Sequence, residues 1–289
     1  MISVIIPIYN RRDHLYLTLT ALDCQGFRDF EVIVADDGST DKPEEVAAFF
    51  STLSVKYTRL ERDGFGANRC RNAGTRVCDA STEAYLFLDS GILLNKHALQ
   101  HYYNLLTSSR GALVVGGRYD WLPPMKLTPA DIIGDWYKIE EALLPHSRSW
   151  NCMELQGIVG LDPRVRQKSN FFDHKKRGHQ SNYFLELFGG NMLIPRAAFE
   201  IVGGFDETMN RHGGEDCEFA MRLQEAGIEA IFADEPIGYH MYHERDQEQN
   251  ERDVAMNIDY MRTIHDFEAL GLECGVENEL PLVKTVTNA

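Results

Sequence analysis

Positive charge is scarce in this chain. Lys and Arg number 29 against 44 Asp and Glu, a formal net charge of −15 over 289 residues. The deficit argues against general nucleic-acid binding, which relies on Lys and Arg to neutralise phosphates. It also argues against adhesion to an anionic membrane through bulk charge. A bound diphosphate would need local positive charge from a metal ion, a few arginines or helix N-termini. Long apolar runs are missing as well. None approaches the roughly 18 residues a transmembrane helix needs. The opening MISVIIPIYN is apolar but short, with no basic leader and no small-residue cleavage site, so it is expected to be a buried strand and not a signal peptide. CxxC pairs are absent. Cys24, Cys70, Cys78, Cys152, Cys217 and Cys274 stand apart, which excludes a zinc knuckle or redox dithiol built on that spacing and suits a reducing compartment. A cytoplasmic location without a transmembrane segment is the expectation. Neither an internal repeat nor a low-complexity segment is visible.

What is present is a hydrophobic fraction of 44%, enough for one large α/β core with or without a small appendage. Over the first 120 residues strand-like and helix-like patterns alternate. Ser3 to Pro7, Phe30 to Ala35, Val55 to Leu60, Ala84 to Leu88 and Ala112 to Val115 read as strands. Arg12 to Cys24, Pro43 to Phe50, Ala67 to Val77 and Lys96 to Leu106 read as helices. This alternation predicts a mostly parallel sheet with helices on both faces. Ligands of such sheets bind outside the carboxyl ends of the strands, where Asp36, Asp37 and Asp89 fall. The rhythm is lost from Trp121 to Tyr183, a segment rich in Pro, His and charge with a basic cluster at Lys175, Lys176 and Arg177. It reads as a solvated loop or as a lid. The pattern resumes at Phe184 to Ile194, followed by a helix from Glu215 to Ala226, a strand from Ile228 to Ala233 and a helix from Asn250 to Leu270.

Four constellations could carry chemistry. In DDGSTD, residues 36 to 41, a carboxylate at a strand end could accept an imide N–H or a sugar hydroxyl; capping of the next helix explains the same residues. In Gly64 to Gly74, small residues open a helix so that backbone N–H groups can approach a phosphate, with Arg69 or Arg71 adding charge; an ordinary glycine-punctuated helix start is the alternative. In LFLDSG a buried strand delivers Asp89 toward solvent, where a divalent cation would need further ligands; His240 and His243 are candidates. Carboxylate with imidazole favours Mn²⁺, with Mg²⁺ possible. Finally, Gly189-Gly190-Asn191 clears space for a substrate, and Gly213-Gly214-Glu215-Asp216 brings two carboxylates to a helix start. There the dipole favours their ionised form, and one of them could deprotonate an acceptor hydroxyl. Simple helix capping is again the alternative.

Together, in order and spacing, SVIIPIYNRRDHLYLTLTAL, VIVADDGSTD, GANRCRNAG, LFLDSG and FGGNMLIPRAAFEIVGGFDETMNRHGGEDCEFAMRLQEAG resemble the nucleotide-sugar glycosyltransferases of GT-A fold. The likeness is greatest to family 2, and it covers about residues 2 to 118 and 184 to 246. The second half is similar to the galactosyltransferase-type C-terminal module. The resemblance implies a Rossmann-like sheet and a sugar donor activated as a nucleotide diphosphate, most often UDP. Pro7, Tyr9, Asn10, Asp37 and Arg71 would line the donor pocket, with Gly190 beside them. Asp89 would stand at the first position of the DxD motif, Asp216 would be the catalytic base of an inverting displacement, and Glu215 would contact acceptor or donor sugar. His243 would bind the metal, joined by Asp89 and His240. The chain departs from the pattern at Gly91, which holds the third DxD position.

The implied organisation is a nucleotide-sugar-binding half at 1–120, an irregular acceptor or lid segment at 121–183, an acceptor and catalytic half at 184–246, and a C-terminal helix and tail at 247–289. The acceptor could be a glycan, a natural product or a peptide. Two competing readings are a catalytically degenerate nucleotide-sugar binder and a sugar-1-phosphate nucleotidyltransferase. The latter needs a glycine-rich loop after the first strand, where this chain has Ile8-Tyr9-Asn10-Arg11-Arg12.

Overall fold

A computed structural model describes residues 1–109, 111–121, 128, 132, 147–149, 183, 187, 189–241 and 247–267. Within them the chain forms strands β1 (Ile2–Ile8), β2 (Phe30–Asp36), β3 (Val55–Arg59), β4 (Ala84–Leu88), β5 (Ile92–Leu94), β6 (Leu113–Trp121), β7 (Ser147–Ser149), β8 (Asn191–Pro195) and β9 (Ala230–Met241). The helices are α1 (Arg12–Asp23), α2 (Pro43–Phe49), α3 (Ala67–Arg76), α4 (Ala98–Ser108), α5 (Arg196–Val202), α6 (Glu215–Glu225) and α7 (Gln247–Ile264).

The strands make one sheet in the order β3-β2-β1-β4-β8-β6-β9-β5, with β7 paired to β6. Strands β3, β2, β1 and β4 run parallel. Next, β8 joins β4 antiparallel, with Leu86 opposite Leu193. The later strands mix directions: β6 is antiparallel to β8 and parallel to β9. The position 120 expected to divide two halves falls inside β6, so both halves contribute to a single sheet.

Alternation along the strands assigns the two faces. Val4, Ile6, Val32 and Val34 pack with Leu15, Leu19, Val46, Leu99 and Tyr102 of α1, α2 and α4. Ile5, Ile33 and Phe87 turn to the other face and meet Phe199, Phe219, Ile258 and Met261 of α5, α6 and α7. Strands β1, β2 and β4 are buried on both faces, which is why their sequences are mostly apolar.

Capping differs from the simplest reading of DDGSTD. Helix α2 has Lys42 at its N-cap, with φ 59° and no side-chain cap. Asp41 instead accepts the backbone N–H of Arg12 at 2.8 Å, satisfying an early amide of α1. Asp36 accepts the N–H of Ser39 at 2.8 Å and pairs with Arg59, so it holds its own turn together.

Candidate active site

The carboxyl ends of β1, β2 and β4 open into a cleft of about 380 Å³. Pro7 and Tyr9 from the end of β1, Asp37 after β2, Asp89 after β4 and Arg71 of α3 line it. The opposite wall carries Glu215 and Asp216 at the start of α6, His240 of β9, and Gln249, Asn250 and Asp253 of α7. Residues far apart in sequence thus meet because parallel strands deliver their ends to one edge.

At one end Asp37 is buried. Its Oδ2 accepts the Gly66 N–H at 3.0 Å and pairs with Arg62. Its Oδ1 is buried with no partner among the described residues. Burial pushes the Asp37 carboxyl above its ordinary range, against the opposing pull of Arg62 and the Gly66 N–H. Glycine is required at 66 because a Cβ there would collide with this carboxylate. The Arg62 guanidinium lies over the Tyr9 ring, 3.5 Å from its centroid. Arg62 is a site residue that the motifs did not mark. Its position just past β3 was the available signal, since that is another carboxyl end on the same edge.

At the centre Arg71, with its side chain 3% exposed, joins the two halves. It donates to Asp89 Oδ1 at 3.1 Å and to Asp216 Oδ1 at 3.1 Å. Sequence reasoning cast Arg71 as a cation offered to the donor. Its guanidinium lines the cleft and at the same time bonds these two carboxylates. The backbone N–H of Gly189 donates to Asp216 Oδ2 at 2.9 Å. The Asp89 N–H donates to the Gly190 carbonyl at 3.0 Å. Gly190 therefore acts from behind Asp89, outside the cleft lining. Asn10 is also placed elsewhere. With φ 50° it turns its side chain to accept from the Thr40 N–H at 2.7 Å, tying the loop after β1 to the loop after β2.

Asp89 begins a turn into β5. Gly91 has φ +99°, a conformation side chains with a Cβ rarely adopt, which accounts for the missing carboxylate at this position. Its N–H donates to Thr18 Oγ1 at 2.9 Å, and its carbonyl accepts the Met241 N–H at 2.8 Å. The pairing of β5 with β9 sets Ile92 opposite His240 and carries that imidazole to the cleft beside the Asp89 turn. His243 lies outside the described residues, as does the basic cluster at 175–177. Among the described residues no three His, Cys, Asp or Glu side chains form a metal-binding group. Asp89 and His240 are a hard and a borderline donor of the kind Mn²⁺ or Mg²⁺ accepts, so the residues present fit such an ion in kind.

The model of glycosyl transferase family 2 matches residues 3–158, more than half of the chain. The chain belongs to glycosyl transferase family 2. A second model, described as the N-terminal domain of galactosyltransferase, matches residues 172–244. Validoxylamine A glucosyltransferase of Streptomyces hygroscopicus subsp. jinggangensis is 32% identical over 268 residues, covering 90% of this chain and 60% of the relative. Chondroitin synthase of Escherichia coli is 30% identical over 260 residues, covering 89% of this chain and 37% of the relative. The family 2 chain thus spans 60% or less of the length of these two relatives. Among solved structures, S. aureus TarS 1-349 in complex with UDP-GlcNAc aligns with TM-score 0.62 at 16% identity, over 91% of this chain and 65% of that one. The Pyrobaculum calidifontis mannosyltransferase PcManGT, in complex with GDP-Man and Mn²⁺, aligns with TM-score 0.57 at 17% identity, over 93% of this chain and 67% of that one. At these identities the alignments show the fold, which is the GT-A glycosyltransferase fold.

Proposed function

We propose that this chain transfers a sugar from a UDP-sugar to an acceptor hydroxyl, by direct displacement with inversion, and that Asp216 is the base. The observation that carries the reading is the Asp89–Arg71–Asp216 bridge, set in a cleft at the carboxyl ends of the parallel strands. It holds one carboxylate where a donor diphosphate would lie and another where an acceptor would approach.

In this reading the buried Asp37 Oδ1 accepts an N–H of the base, and the exposed face of Tyr9 stacks on it. The acceptor oxygen attacks the anomeric carbon, and its proton passes to Asp216. The bond to the diphosphate oxygen breaks, and its electron pair leaves with the nucleotide diphosphate. Asp216 already accepts from Arg71 and Gly189, and each of its oxygens keeps a lone pair for that proton. These two donors also fix its direction, as a general base requires. Asp89 and His240, with His243, would hold a divalent ion, which supplies positive charge against the departing diphosphate. Glu215 would contact the acceptor or donor sugar. A sugar-transferring role is supported by the names of the relatives, a glucosyltransferase and a chondroitin synthase among them. A nucleotide-sugar donor is supported by the TarS complex with UDP-GlcNAc.

The test is a panel of nucleotide-sugars scored by thermal shift with and without Mn²⁺, followed by release of nucleotide diphosphate from the best binder. A UDP-sugar should stabilise the protein most and be slowly hydrolysed without acceptor. Stabilisation with no hydrolysis under any condition would make the chain a binder and end the enzymatic reading.

A further inference from the structure

The turn that presents Asp216 has weak local reasons to hold one shape. Gly213 and Gly214 are consecutive and both left-handed, with φ +89° and +87°. Glycine backbone is the most costly to order, and α6 begins at Gly214 without a side-chain cap. Direct hydrogen bonds to the turn come from α7. Asn257 is 2% exposed on a face otherwise made of Val254, Ile258 and Met261. A polar side chain buried on an apolar stripe must find partners. Its Nδ2 donates to the Gly213 carbonyl at 2.6 Å and to the Arg211 carbonyl at 3.0 Å. Val254 fills the space that a Cβ on Gly213 would need, so helix and turn are keyed together.

We infer that Asn257 is a positioning residue for the transfer reaction: it pins the 211–214 turn and thereby aims Asp216. Asp216 is the second residue of α6, so its direction follows from how the helix starts. Arg71 and Gly189 locate the carboxylate from the far side. Asn257 locates the backbone that carries it. The inference rests on Asp216 being the base.

The experiment uses the full chain and four variants: Asn257→Asp, Asn257→Ala, Ile258→Ala and Asp216→Asn. Asn257→Asp keeps the shape and removes both N–H donors. Ile258→Ala disturbs the same helix without touching the turn. Four quantities are read: amide exchange over 211–216, UDP affinity by calorimetry with Mn²⁺, turnover of the UDP-sugar chosen by the panel above, and melting temperature. Both Asn257 variants should speed exchange over 211–216 and lower turnover about 10- to 100-fold, the scale of a small misplacement, with UDP affinity unchanged. Ile258→Ala should lower the melting temperature yet leave exchange over 211–216 and turnover at parental levels. Parental exchange and turnover in Asn257→Ala would overturn the inference, as would equal losses in Ile258→Ala. If Asn257→Asp does not fold, Asn257→Ala decides. Parental turnover in Asp216→Asn would sink the base assignment instead, a result the Asn257 variants cannot mimic.

Discussion

Removing the charge of Asp216 while keeping its volume tests it as the proposed base. Asp216→Asn should fold, bind donor, and lose about 10²- to 10⁴-fold in turnover, which steady-state kinetics at saturating donor will show. Arg71 sets a different expectation. Burial disfavours its charge, yet Asp216 and Asp89 outweigh that and hold its pKa above the ordinary value. Arg71→Met leaves two carboxylates facing each other without a counter-charge. The cost should be about 3 kcal/mol, at the low end for a broken buried pair, because Asp89 is 32% exposed and partly screened. Urea unfolding measures that loss, and both donor affinity and turnover should fall with it. Asp89 and Asp216 could be picked out beforehand because each ends an apolar run or opens a helix. Asn257 could have been found too, as the single amide among Val254, Ile258 and Met261 at helical spacing. Nothing local distinguishes Asn10, whose loop contact is with Thr40, 30 positions away.

Among the elements, α7 is held at its far end by His265, whose side chain is 5% exposed. His265 meets Glu218 at 3.3 Å and Glu225 at 3.4 Å, and Arg222 pairs with the same Glu218 at 2.6 Å. The hydrogen bond to Glu218 raises the His265 pKa against burial. Burial opposes the charge of Glu218, but His265 and Arg222 outweigh it and hold that carboxyl low. The signs define a window. The histidine contribution is complete below its ordinary pKa of about 6.5 and is lost as pH rises through the raised value. The glutamate contribution is present above its ordinary value of about 4.3 and is lost as pH falls through the lowered one. Stability should therefore decline from about pH 6 as the pH rises through the raised histidine value. His265→Gln should cost about 1.5–3 kcal/mol at the lower pH and flatten the decline, as urea unfolding across that range will report. The long elements were legible from periodicity. Strand β5, with three residues, was too short to show a period, and helix α5, directly after β8, was not separated from it. Strand β9 runs from Ala230 to Met241 as one element. Asp234, Glu235 and Pro236 interrupt its apolar pattern where the register against β6 shifts, and a proline is tolerated at such an irregularity.

For the molecule as a whole, the net charge of −15 makes a cation the natural companion of a bound diphosphate. UDP with Mn²⁺ should raise the melting temperature more than either alone. The gain should shrink in His240→Ala and His243→Ala and survive in His97→Ala, which alters an exposed residue at the start of α4. Because each imidazole must be neutral to ligate, the Mn²⁺ increment should fade on acidification. An undiminished increment in both histidine variants would place the ion elsewhere.

The pairing of β4 with β8 also governs how this chain can be made. Leu86 finds its neighbour Leu193 only after 107 further residues have been synthesised. Until then a nascent chain that has already assembled β3, β2, β1 and β4 carries a fully apolar strand with one side of its backbone unsatisfied. Such an edge invites pairing with another chain, and contacts this distant are slow to form. A fragment ending near residue 120 would hold the Asp37 end of the cleft and still be prone to aggregate, whereas one reaching Pro195 would supply its own missing strand. On the ribosome, the stretch between β4 and β8 sets the delay during which a chaperone has something to hold.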